Sequence, residues 1–155
     1  MSTLSYIGLG EFDRLLGKRI MNAVQRIALV ELDVPLIAVA TVFALRPFLG
    51  EAAMAGFAFL GFLGLTPLMM RGSGEKVVSD ERDHDIDFTA RFWAFGAAWM
   101  FLFASLGIVV MWHAYQGTDI PITSANLLLW MQFAICYAVK GGIALRLYGG
   151  HHRAT

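Results

Sequence analysis

The charge pattern of this chain leaves little freedom in what it can fold into. All but one of its twelve lysines and arginines sit in three clusters, and each cluster abuts a long apolar run. Arg14, Lys18, Arg19 and Arg26 precede the first run, and Arg71, Lys76, Arg82 and Arg91 separate the second from the third. Lys140, Arg146 and Arg153 close the fourth, and Arg46 alone falls at the other ends of the runs. Only 15% of the residues are charged and 57% are hydrophobic, whereas a soluble domain carries about 25% charge. A chain of about 150 residues still exposes roughly a third of its unfolded surface after folding. That much apolar surface needs lipid as a solvent.

Four runs approach the roughly 20 residues that cross about 30 Å of hydrocarbon as a helix. They cover about 27–49, 52–70, 88–112 and 122–147. The loops Arg46–Glu51 and Gln116–Pro121 are short, which makes successive helices antiparallel neighbours. The expected fold is an all-α, four-helix transmembrane bundle forming one integral membrane domain over 1–155. Because basic residues are retained on the cytoplasmic side, residues 1–26, the 71–87 loop and the C-terminus are expected in the cytoplasm, with the protein in a cytoplasmic membrane. No cleavable signal peptide is expected: residues 1–10 lack a basic region followed by a long apolar stretch and a small-residue cleavage site, and the first long run, beginning only near Ile27, is expected to stay as an anchor.

Within 1–26, residues Leu4 to Met21 place Tyr6, Ile7, Phe12, Leu15, Leu16 and Ile20 at helical spacing among charges. This suits an amphipathic helix lying in the interface, either as an anchor or as a docking site.

The densest polar element is Asp80-Glu81-Arg82-Asp83-His84-Asp85-Ile86-Asp87. Ser79 can cap a helix whose first turn holds carboxylates, the arrangement that complements the helix dipole. Only Gly96 interrupts the helical pattern as far as Trp112, so one helix of about 50 Å is expected, extending from the cytoplasm through the bilayer. On it Asp80, Asp83, His84 and Asp87 share a face, and Asp87 precedes Arg91 in the favourable order for an i, i+4 ion pair. The element reads as a solvated, well-capped stalk or as a contact for a basic partner. A metal would need further ligands from elsewhere, and none is expected here.

The Asp80-Glu81-Arg82-Asp83 run, with Ile86, Ala90 and a transmembrane helix following, resembles small bacterial membrane proteins of unknown function. Those proteins share four predicted spans and an Asp-Glu-Arg segment ahead of the third. The resemblance implies a membrane protein facing the bacterial cytoplasm and implies no reaction or catalytic residue.

Charges inside the runs are more informative because each costs a few kcal/mol at membrane depth and normally faces protein or water. Glu31 and Asp33 lie one to two turns into the first run, and Lys140 lies at a similar inner depth in the fourth. An ion pair between Lys140 and one of these carboxylates is predicted. It either staples the first and fourth helices or begins a proton or ion relay. Further polar steps are few: Thr41, Ser105, Asn126, Gln132 and His113. Gln132, mid-span, is expected to seek an interhelical hydrogen bond. Pro35 and Pro67 are expected to bend their helices, and Trp130 is expected to be a packing or oligomer-contact residue.

No cofactor is expected. Haem would want two histidines at one depth on facing helices, whereas His84, His113, His151 and His152 are scattered along the chain. Cys136 is alone, Arg71-Gly-Ser-Gly-Glu75 lacks the setting of a phosphate loop, and zero net charge gives no reason to expect nucleic acid. Two functions remain. One is a non-enzymatic interaction subunit (accessory, assembly or regulatory) whose partners are the bilayer and either another protein or a second copy. The other is a small oligomeric proton or cation transporter using Glu31, Asp33 and Lys140.

Overall fold

A computed structural model describes residues 23–66 and 81–150, which are helical and contain no strand. Helix α1 covers Ala23–Leu49, a 3-10 helix covers Gly50–Leu65, α2 covers Glu81–Gln116 and α3 covers Ile122–Gly150. Three uninterrupted helical runs are long and apolar enough to cross a membrane: Val24–Leu65, Glu81–Gln116 and Ile122–Gly149. They mark the chain as a membrane protein. The amphipathic segment Leu4–Met21, the loop containing Asp80 and the bend expected at Pro67 lie outside the described residues.

The first run folds back on itself. Past its middle, Gly50 takes φ 56°, a left-handed backbone that a side chain disfavours. The 3-10 helix then returns along α1, so that Ala38 and Val42 meet Phe57, Leu60 and Leu63. Three residues per turn places Phe57, Leu60 and Leu63 on one straight ridge. A rise of about 2.0 Å per residue makes this element about 32 Å long, where an α-helix of the same length would reach about 24 Å. The second turn is closed by Gly117, with φ 63°. Its N–H donates to the Ala114 carbonyl at 3.3 Å and the Thr118 N–H to the His113 carbonyl at 3.0 Å, the paired bonds of a Schellman cap. The His113 ring adds a 2.8 Å contact between Nδ1 and Thr118 Oγ1.

The elements lie in a row. The 3-10 helix packs on α1, α1 on α3 and α3 on α2, with only a light contact between α3 and the 3-10 helix. Among the described residues the 3-10 helix and α2 have no substantial contact, so the row does not close into the ring that a four-helix bundle would make. Lipid explains why an open arrangement suffices. Acyl chains solvate leucine as well as another helix does, so helices join where they fit closely rather than wherever they are apolar.

Two ends can be distinguished. The hairpin end carries Gly50 and Gly117, and Thr123 Oγ1 donates to Glu51 Oε1 at 2.8 Å there, joining the two hairpins. At the opposite, terminal end, Ala28 of α1, Ile86 and Ala90 of α2, and Ala144 of α3 form one buried cluster. The three alanines, one on each helix, let the helices converge.

Candidate functional site

The convergence at the terminal end brings ionisable groups of three helices together. Lys140 of α3 stands between two carboxylates: its Nζ is 2.6 Å from Glu31 Oε1 on α1 and 3.5 Å from Asp87 Oδ1 on α2. Asp87 also pairs with Arg91 one turn along the same helix. Glu31 is buried, with 7% of the residue exposed. A charge so placed is tolerable only beside its opposite, and an ammonium between two carboxylates supplies that neutralisation.

Backbone shape accounts for the closeness. Gly141, next to Lys140, has no room for a side chain: a Cβ there would lie 2.4 Å from the Ala28 carbonyl oxygen and 2.6 Å from the Leu32 nitrogen. Glycine therefore lets α3 press directly on the α1 backbone at the level of Glu31, the role small residues play between membrane helices. The buried Pro35 sits one turn beyond. Proline lacks an N–H, so the Glu31 carbonyl has no helical donor at that position.

Two turns nearer the chain end, the Tyr148 hydroxyl donates to Asp83 Oδ1 at 2.8 Å. Thus α2 and α3 are joined by a pair of rungs, Asp87 to Lys140 and Asp83 to Tyr148. The inner ridge of α2 consists of Ile86, Ala90, Ala94 and Ala98, and Asp83 and Asp87 flank it. His84 is exposed on another side of the helix. The face expected to hold Asp80, Asp83, His84 and Asp87 together is therefore divided, because α3 takes up the two aspartates that border its packing ridge. Asp80 lies outside the described residues.

The sequence placed Glu31, Asp33 and Lys140 in one group, and the structure joins two of them. Asp33 points away from the network. It is exposed and has no hydrogen bond or ion pair among the described residues. It shares its helix face with Arg26, Leu29, Leu36 and Ile37, all exposed as well. The participation of Asp87 and Tyr148 was not anticipated. The usable signal was the four-residue step from Asp83 to Asp87, which puts both on one side of a helix.

Among the described residues the network does not continue toward the hairpin end. Thr41 donates to the Ile37 carbonyl of its own helix at 2.8 Å, and Ser105 to the Phe101 carbonyl at 2.6 Å. Gln132 lies with Cys136 and Tyr137 opposite Phe95 and Trp99, lining a groove of about 260 Å³ between α2 and α3. Asn126 lines another, beside Glu51 and Thr123. Trp130 stacks on Phe57 of the 3-10 helix with ring centres 6.1 Å apart. Among the described residues no three metal-binding side chains come together.

No protein-family model matches the chain, and neither a characterised protein nor a solved structure matches it.

Proposed function

We propose that the protein is a non-enzymatic interaction subunit of a bacterial cytoplasmic membrane, acting as an accessory, assembly or regulatory component through lateral contacts. In this reading α1, the 3-10 helix, α2 and α3 each cross the bilayer, with both termini and the start of α2 in the cytoplasm. The basic residues at the terminal end support that orientation. So does spacing: along α1, Arg26 and Arg46 stand about 30 Å apart, the thickness of the hydrocarbon layer.

One observation carries the proposal. Asp33 lies two turns inside Arg26, about 10 Å along the helix, and faces outward with no partner among the described residues. Ionisable groups at such depth almost always meet protein or a water-filled cavity. An outward carboxylate on a face otherwise made of Leu29, Leu36 and Ile37 calls for another polypeptide to cover it.

The test is the mass of the assembly extracted from its native membrane in mild detergent. The full chain is expected to leave the membrane in a stoichiometric assembly, and Asp33→Asn is expected to release it as a smaller species with its thermal unfolding unchanged. An assembly of unaltered mass in Asp33→Asn would refute the reading.

The Glu31–Lys140–Asp87 network favours a second reading, a proton or cation transporter, because paired charges at membrane depth commonly line such paths. Thr41 and Ser105 count against it, since their hydroxyls are engaged by their own helices. Proton or cation flux in proteoliposomes that disappears in Glu31→Gln would establish it over the first.

A further inference from the structure

Arg46 is the one lysine or arginine at the hairpin end, and the fold gives it no partner. It is exposed and has no hydrogen bond or ion pair among the described residues. It lines a cavity of about 390 Å³ bounded by the last turns of α1, the beginning of the 3-10 helix and the start of α3. Sites for small molecules measure about 300–1,000 Å³. Glu51 lines the same cavity. The two charges flank the left-handed Gly50 and form no ion pair with each other. Glu51 accepts from Thr123 at 2.8 Å, and a carboxylate has room for further donors. Ser124, half-buried, brings to the cavity a hydroxyl with no partner among the described residues.

This charged cavity adjoins an apolar groove. Glu51, Met54 and Thr123 line both the cavity and a second hollow of about 630 Å³. The hollow follows α3 from Ile122 to Leu129, about 10 Å along the helix. Both of these side chains are exposed. The groove lies where α3 and the 3-10 helix touch only lightly. With the helices crossing the bilayer as proposed above, the charged cavity stands at one membrane surface and the groove descends from it among the acyl chains.

From this arrangement we infer that the hairpin end binds one phospholipid whose zwitterionic headgroup carries a primary amine. The phosphate lies against the Arg46 guanidinium, whose planar fork suits it, and accepts from the Ser124 hydroxyl. The ammonium lies against Glu51, and an acyl chain follows the groove past Met54 and Leu129. An anionic headgroup without an amine would reach Arg46 but set its charge beside Glu51 with nothing to offset the repulsion. A choline headgroup has no N–H to offer Glu51. Choline sites are built from aromatic rings, and among the described residues no aromatic side chain lines this cavity. The inference rests on the placement of the helices across the bilayer and is independent of what covers Asp33.

The full-length chain, freed of native lipid in detergent, is titrated separately with phosphatidylethanolamine, phosphatidylglycerol and phosphatidylcholine of matched acyl chains. Native mass spectrometry counts the lipids retained per chain. The wild type is expected to retain one phosphatidylethanolamine at least about tenfold more tightly than either of the others. Arg46→Gln is expected to weaken that binding at least about tenfold, the effect of losing a charge-assisted phosphate contact. Glu51→Gln keeps an acceptor for Thr123 and removes the charge, so phosphatidylglycerol is expected to bind it as well as phosphatidylethanolamine does. Neither variant touches the Lys140 network, and both are expected to unfold at the wild-type midpoint. Soluble glycerophosphoethanolamine, which has the headgroup without the acyl chains, is expected to bind at least about tenfold more weakly than the lipid.

Equal retention of the three lipids by the wild type, or unchanged phosphatidylethanolamine binding in Arg46→Gln, would overturn the inference. Glycerophosphoethanolamine binding as tightly as the lipid would refute a lipid as the occupant. None of these results bears on the assembly test at Asp33, so the two readings fail separately.

Discussion

The two hairpins are held together differently. In the first, the 3-10 helix is buried against α1 along its length, from Ala53 and Gly56 through Phe57 and Leu60 to Leu63. In the second, the buried residues of α2 are Ile86, Ala90, Ala94 and Ala98, all in the terminal half. Beyond Ala98 this helix exposes Phe103, Ile108, Met111, Trp112 and Tyr115. The strength of the apolar run alone does not explain the exposed half, because the strongest window of α2 matches that of the first run at a mean hydropathy of 2.1. What differs is fit. An alanine at every fourth position lets α3 approach the terminal half of α2, and the bulky side chains that follow keep the helices apart. In lipid, close approach rather than apolar content decides which helices adhere.

This contrast can be tested by substitutions of graded effect. The largest is expected at Lys140. Lys140→Met removes the cation from between Glu31 and Asp87, leaving a buried charge without its partner, and should cost about 3–5 kcal/mol. Thermal unfolding in detergent reads the loss, and the double variant Glu31→Gln/Lys140→Met should recover most of it. No recovery would mean that the ion pair is not the source of the stability.

Gly141→Val comes next. Its side chain would occupy the space now filled by the α1 backbone, and overpacking of this kind costs about 1–3 kcal/mol or somewhat more. The readout is a fall in the unfolding midpoint together with a greater distance between spin labels on α1 and α3. An unchanged distance would show that α3 tolerates a side chain there.

Tyr148→Phe removes one hydrogen bond to a carboxylate, worth about 1.5–3 kcal/mol when the acceptor is charged and less where water reaches it. The loss should appear as faster hydrogen exchange at the start of α2, with α1 unaffected. The smallest effect is expected in the hairpin half of α2. Met111→Ala should change stability by no more than about 0.5 kcal/mol, as substitutions at unpacked positions do. A large loss there would mean that this half is packed after all, and the contrast between the hairpins would fail.

How much of this was readable beforehand varies by residue. The apolar runs, the two short turns and the unbroken helix through Gly96 all follow from composition and periodicity. A pairing of Lys140 with Glu31 or Asp33 was also legible, because few charges sit inside the runs and each needs a counterpart, but which of the two carboxylates it takes was not. The bundle was not. Sequence periodicity reports which side of a helix is apolar, and these helices are apolar nearly all round, so it could not say which neighbours would touch. The division of the Asp83–His84–Asp87 face was equally hidden. Helical spacing places three residues near one another but does not tell which of them a neighbouring helix will take.

By itself, then, the chain determines that it enters a membrane, where its apolar runs turn, and that Lys140 needs a carboxylate, Glu31 or Asp33, at matching depth. Those outcomes depend on local properties: run length, glycine at the turns and the cost of a lone charge in lipid. The tertiary structure decided that Asp87 and Tyr148 join the network, that Asp33 faces outward, and that the helices stand in an open row. These depend on where backbones can come into contact, which Gly141 and the alanines of α2 permit at one end and the bulky side chains forbid at the other.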